Sequence, residues 1–91
     1  MDIKRAHIIV SGFVQGVMFR YRTKKLAESL GLKGFVKNLE NGEVKVMAEG
    51  PEEAIEKLIR FCKKGPLGAE VMDIKIEYEE VKNEFDGFLV A

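Results

Sequence analysis

The hydrophobic pattern of this 91-residue chain switches between a period of about two and one of about 3.6 residues, and the order of the switches leaves few ways to fold it. Ile3 to Val14 alternates as a strand, with Ala6, Ile8 and Val10 on one face and Arg5, His7, Ile9 and Ser11 on the other. From Phe19 the pattern turns helical: Phe19, Thr23, Leu26, Ala27 and Leu30 make one stripe. Gly31 ends it, with Leu30 and Leu32 flanking a left-handed cap. Leu32 to Leu39 reads as a second strand, and Val44, Val46 and Ala48, alternating with Lys45, Met47 and Glu49, as a third. Asn41-Gly42 between them supplies the positive φ of a tight hairpin turn, which makes these strands antiparallel neighbours. Gly50-Pro51-Glu52-Glu53 starts a second helix, with Pro in its first turn and acids at the positive end of its dipole. Ile55, Leu58, Ile59 and Cys62 form its stripe, and Lys63-Lys64-Gly65-Pro66 stops it. Met72, Ile74, Ile76 and Tyr78 alternate with Asp73, Lys75, Glu77 and Glu79 as a fourth strand, and Phe85 to Ala91 makes a short fifth strand at an edge.

Strand, helix, strand, strand, helix, strand is the split βαβ order of ferredoxin-like folds. The expectation is an α+β protein, a ferredoxin-like two-layer α/β sandwich: βαββαβ plus the short C-terminal edge strand, an antiparallel sheet with two helices on one face. No linker, repeat or low-complexity stretch divides residues 1–91, so they read as a single domain, large enough to bury roughly 60 to 65% of its unfolded surface. In this topology the first and second strands run parallel with the third between them. Their C-terminal ends emerge on one edge, roughly 10 Å apart, so the residues from Gly12 onward face those near Asn38.

Gly12-Phe13-Val14-Gln15-Gly16-Val17-Met18-Phe19-Arg20 joins the first strand to the first helix with two glycines, no proline and no acidic side chain. The N–H groups of such a loop can turn inward together around an anion, where the helix dipole adds to them. Arg20 sharpens the point, because a cation in a first helical turn is disfavoured unless something negative lies between it and the dipole. The pattern suits a bound oxyanion such as phosphate; it also fits an ordinary strand-to-helix connection with a solvated arginine.

Other chemistries find little support. Lys plus Arg number 15 and Asp plus Glu 15, interspersed along the chain, which argues against a polyanion binder and so against nucleic acid. A sheet that binds nucleic acid needs exposed aromatics, where the first and third strands offer Ile8, Val10, Val44 and Met47. There is no G-x-x-x-x-G-K-[ST], and the loop holds no Cys, Ser or His to act as a nucleophile. The single cysteine, Cys62, reads as core, His7 as a sheet-face residue, and Glu77 to Glu80 as a solvated edge rather than a metal site. Arg22, Lys24 and Lys25 read as a solvated helix face. With no run of 18 apolar residues and no leader, the expectation is a cytoplasmic protein without a membrane partner. Abundant Glu and Lys with scarce Gln and Asn suggest a heat-adapted (thermophile) source.

Gly12 to Arg20 resembles the acylphosphatase signature G-x-V-Q-G-V-x-F-R, with Met18 at a position the signature leaves open. Gly34-Phe35-Val36-Lys37-Asn38-Leu39-Glu40-Asn41-Gly42-Glu43-Val44, continuing to Gly50, resembles the second signature of the same family, and length and element order match it too. The resemblance implies hydrolysis of the carboxyl-phosphate bond of small-molecule acyl phosphates to carboxylate and inorganic phosphate, with no metal and no cofactor. It carries the catalytic roles onto Arg20 and Asn38, and the phosphate contacts onto the backbone N–H groups of Gln15, Gly16, Val17, Met18, Phe19 and Arg20. A phosphate or sulfate ion would then occupy the loop of a monomer or weak oligomer.

The chemistry is consistent with that implication. The leaving group is a carboxylate with a conjugate-acid pKa near ~4, which departs unprotonated and calls for little acid catalysis. Phosphoryl transfer through a loose transition state is served by positioning and by charge on the equatorial oxygens, for which the fork of Arg20 is suited. The Asn38 amide takes no proton at neutral pH, so its role is to hold the attacking water while the phosphate accepts the proton. A domain of this pattern also opens larger enzymes that handle carbamoyl phosphate, which keeps a phospho-ligand binding or regulatory module as the alternative.

Overall fold

The computed structural model describes residues 2–91, in the order β1 (Ile3–Phe13), α1 (Phe19–Ser29), β2 (Lys33–Asn38), β3 (Val44–Pro51), α2 (Glu52–Lys64), β4 (Glu70–Glu79) and β5 (Phe88–Val90). The sheet runs β4-β1-β3-β2-β5, so β3 lies between β1 and β2 as the connectivity demands. The four long strands pair antiparallel, and β5 alone pairs parallel, with β2. The expectation of an antiparallel sheet therefore holds for β1 to β4. The β5 strand differs because β4 and β5 are opposite edges, and the chain must cross the sheet between them before it turns along β2.

Both helices cover one face. Ala6, Ile8 and Val10 of β1 and Val44, Val46 and Ala48 of β3 are fully buried in one cluster with Phe19 and Ala27 of α1 and Ile55, Leu58 and Cys62 of α2. Each large side chain among them contributes roughly 1.5 to 3 kcal/mol by leaving water. The α1 helix ends as its sequence suggests. Gly31 has φ +72°, its N–H donates to the Glu28 oxygen at 3.1 Å, and the Leu32 N–H reaches back to Ala27 at 2.9 Å, the paired bonds of a Schellman cap. The α2 helix begins at Glu52, with Pro51 just outside it as the cap residue rather than within the first turn, and stops at Gly65, φ +75°.

Three local readings need correction. Ile8, Val10 and Val44 do not face away from the helices; they are the core, and the opposite face carries Arg5, His7 and Ile9 with Lys45, Met47 and Glu49. Nor is that face simply solvated. Residues 80–87 cross it, so Arg5, Met47 and Glu49 are buried, at 5, 6 and 5% exposure. Arg5 Nη1 lies 3.0 Å from Glu49 and 2.9 Å from Glu84, its Nε 3.2 Å from Glu79, and the Phe85 ring sits 5.4 Å from its guanidinium carbon. The main-chain N–H groups of Lys82 and Asn83 donate to the same Glu49 carboxylate. Burial raises the pKa of Glu49, but these donors and Arg5 outweigh it and hold the carboxyl below its ordinary range.

The second correction concerns β4, where Met72 was expected on the apolar face. Register with β1 shifts between Ser11 and Gly12, which pair with Asp73 and Val71, so Met72 is the extra residue of a bulge. Val71 packs against the core in its place, and Met72 is 78% exposed. The bulge also reassigns Gly12 from the loop to the strand: at φ +124° a Cβ there would lie 2.2 Å from the Glu70 oxygen. Third, the β2–β3 turn is longer than a two-residue hairpin. It closes through Gly42 N–H to Leu39 O at 3.2 Å and Leu39 N–H to Glu43 O at 2.8 Å, with positive φ at Gly42 and not at Asn41.

Candidate active site

The chain leaves β1 through Val14, whose 1% exposure anchors the loop that follows. Gly16 and Met18 then adopt left-handed backbone, φ +78° and +61°, on either side of Val17. Such alternation turns successive N–H groups toward one side. Among the described residues the N–H groups of Gln15 to Arg20 donate to no backbone acceptor, and the first main-chain bond of α1 runs from Arg22 N–H to Met18 O at 3.0 Å. Met18 is the helix cap in left-handed conformation, with no side-chain cap and no acid in the first turn. The helix therefore presents unpaired donors and its positive end to whatever occupies the loop.

Arg20 in α1 and Asn38 at the end of β2 line one hollow of about 400 Å³, together with Gly16, Met18 and Phe19. The remaining walls are Val14, Tyr21 and Val90, so β5 contributes to the site. The guanidinium of Arg20 donates through Nη1 to the main-chain oxygen of Ala91 at 3.1 Å, a partner 71 residues away. The loop and the β2–β3 turn are tied together. The Gln15 amide donates from Nε2 to the main-chain oxygens of Leu39, 2.8 Å, and Glu43, 2.9 Å. Ser11 Oγ donates to Glu43 Oε2 at 2.6 Å and Asn41 Nδ2 to Oε1 at 2.7 Å, while the Glu43 N–H returns to Asn41 Oδ1 at 3.1 Å. Hydrogen bonds from Ser11 and then Asn41 lower the Glu43 carboxyl below its ordinary range.

Of the residues assigned from sequence, Gly16, Met18, Phe19, Arg20 and Asn38 meet around this hollow, while Gln15 and Val17 do not line it. The side-chain role of Gln15 was not anticipated; its signal was a lone amide in an otherwise apolar loop. Phe13, although it belongs to the Gly12 to Arg20 stretch, is 62% exposed and does not line the hollow. His7 belongs to the far face, with Nδ1 3.8 Å from Glu79. Cys62 is fully buried, and burial pushes its thiol up to about 12. Among the described residues, no three His, Cys, Asp or Glu side chains come together as a metal site, and no helix is long and apolar enough to cross a membrane.

The fold and this loop define a two-layer α+β domain with a hollow suited to a small oxyanion, and comparison with known proteins gives the family. The family model for acylphosphatase matches residues 6–90. The acylphosphatase of Pelotomaculum thermopropionicum is 44% identical over 91 residues, spanning 100% of this chain and 99% of that protein. The crystal structure of acylphosphatase from Bacillus subtilis superposes with a TM-score of 0.92 at 35% identity, over 97% of this chain and 98% of that one. Full-length HypF in its phosphate- and nucleotide-bound form matches 99% of this chain at 31% identity and a TM-score of 0.87, using 12% of its own length. The chain belongs to the acylphosphatase family, and its activity is the hydrolysis of acyl phosphates.

Proposed function

We propose that Arg20 and Asn38 are the catalytic residues of this hydrolysis, that the N–H groups of Gln15 to Arg20 hold the phosphate, and that no metal takes part. The observation that carries the assignment is the shared hollow: the permanently charged fork of Arg20 and the amide of Asn38 border the same space as a loop whose N–H groups have no backbone acceptor. The phosphate-bound form of the related HypF supports phosphate as the anion.

The substrate phosphoryl group sits in the loop, with Arg20 exchanging its contact to Ala91 for the equatorial oxygens. Asn38 holds water in line with the bond to be broken. The water oxygen bonds to phosphorus as the bond from phosphorus to the acyl oxygen breaks. The carboxylate leaves with the electron pair, and the water's proton passes to a phosphate oxygen. Charge on the equatorial oxygens meets Arg20 and the N–H groups, where a fixed set of donors stabilises it most. The products are carboxylate and inorganic phosphate. We infer further that the enzyme works in the cytoplasm as a monomer or weak oligomer, a reducing setting with which the buried, unpaired thiol of Cys62 agrees.

Turnover in ¹⁸O-water tests the bond that breaks: the label is expected in inorganic phosphate, and label in the carboxylate would place the attack on the carbonyl instead.

A further inference from the structure

Met18 stands between two hollows. One holds Arg20 and Asn38; the other, of about 540 Å³, is lined by Val17, Met18, Arg22, Phe61, Pro66 and Leu67. Its volume falls in the range of small-molecule sites, roughly 300 to 1,000 Å³. Apart from Arg22 its lining is apolar.

Two of those side chains are unusually open to solvent, Leu67 at 101% and Met18 at 60% exposure. One exposed apolar side chain needs no explanation. Two that border the same hollow beside an anion loop do, especially as the backbone holds both in place. Met18 is displayed by its left-handed φ of +61°. Leu67 rides a turn between Gly65 and Gly68, φ +75° and +92°, closed by Gly65 N–H to Phe61 O at 2.7 Å and Ala69 N–H to Pro66 O at 3.0 Å. That turn abuts the loop itself, since a Cβ on Gly68 would lie 3.7 Å from Val17 Cγ1.

In-line displacement adds a direction. With water on the Asn38 side of phosphorus, the carboxylate departs from the opposite side, so the acyl group extends away from Asn38. The hollow beyond Met18 is the neighbouring one that Asn38 does not line. We propose that this second hollow is the acyl subsite, and that the enzyme prefers acyl phosphates with a medium-length aliphatic or an aromatic acyl group over acetyl phosphate. The inference rests on the placement of phosphate in the loop and water on Asn38.

The test is kcat/KM for acetyl, butanoyl, hexanoyl and benzoyl phosphate, measured with the wild type, Leu67→Ser and Leu67→Met. Leu67 is fully exposed, so the serine variant keeps the fold. For the wild type kcat/KM should rise about two- to fourfold per added methylene, the upper figure being that of full burial. Leu67→Ser should leave acetyl phosphate within about twofold and flatten that rise, and Leu67→Met should restore it. A wild-type rate independent of acyl length, or a serine variant with an undiminished slope, overturns the acyl subsite while leaving the hydrolase reading intact. No turnover of acetyl phosphate or any longer homologue overturns both.

Discussion

The side-chain amide of Gln15 donates to the main-chain oxygen of Glu43 at 2.9 Å while also reaching Leu39 at 2.8 Å, and so clamps the loop between β1 and α1 to the turn that follows Asn38. This amide and the Ser11 to Glu43 bond tie together the two halves of the site at the ends of strands that β3 already holds in register. Replacing the amide should loosen that tie without emptying the core. Gln15→Ala is expected to lower kcat about 10- to 100-fold, because small misplacements of a reacting group have costs of that size. In a double-mutant cycle with Asn38→Ala the two losses should be strongly less than additive, since Gln15 acts through the position of Asn38. Full additivity would show that Gln15 acts elsewhere.

Gly12 makes a separate prediction about stability. A Cβ at this bulge meets the Glu70 oxygen at 2.2 Å and the Met72 nitrogen at 2.8 Å, both backbone atoms that cannot swing aside. Gly12→Ala should destabilise the protein by roughly 2 to 4 kcal/mol, as expected for backbone strain combined with a broken edge pairing. Urea titration reads this directly. Gly16→Ala serves as the contrast, because a Cβ there meets nothing within 4 Å and only the left-handed φ opposes it.

Acid should act through Glu49. Its pKa lies below the ordinary value of 4.5, so the stability it confers is fully present above that value and is lost as pH falls through the lower, folded-state pKa. Glu49→Gln keeps the shape and removes the charge that receives Arg5 and two N–H groups. At neutral pH it should cost about 1.5 to 3 kcal/mol, the range for hydrogen bonds to a charged group. The gap in melting temperature between variant and wild type should then close as pH drops below ~4. A gap independent of pH would contradict the charge's role.

These relationships mark where sequence reading succeeded and where it stopped. The stripes of Phe19, Thr23, Leu26, Ala27 and Leu30 and of Ile55, Leu58, Ile59 and Cys62 were legible because helical burial repeats along the chain; all are buried except Leu26 and Leu30, which are partly buried against the core. That Arg20 and Asn38 border one hollow was legible through the strand order that brings them together. Met72 was misplaced because the bulge shifts the alternation by one residue, so that Val71 rather than Met72 shares the core face with Ile74 and Ile76. The burial of Met47 and Glu49 depends on residues 80–87 arriving from the far edge, a contact that no local window contains. The same holds for the Ala91 oxygen on Arg20 and for the turn that carries Leu67 to the edge of the loop.

Metal-free catalysis by Arg20 and Asn38 is tested by benzoyl phosphate turnover in excess chelator by the wild type, Arg20→Ala and Asn38→Ala. The wild type should keep its full rate in chelator. Arg20→Ala should lose about 10³-fold or more in kcat/KM, the scale of removing an arginine from a phosphoryl transition state. Asn38→Ala should lose about 10²- to 10³-fold in kcat with KM little changed. A rate abolished by chelator, or near-normal turnover by either variant, would contradict the account.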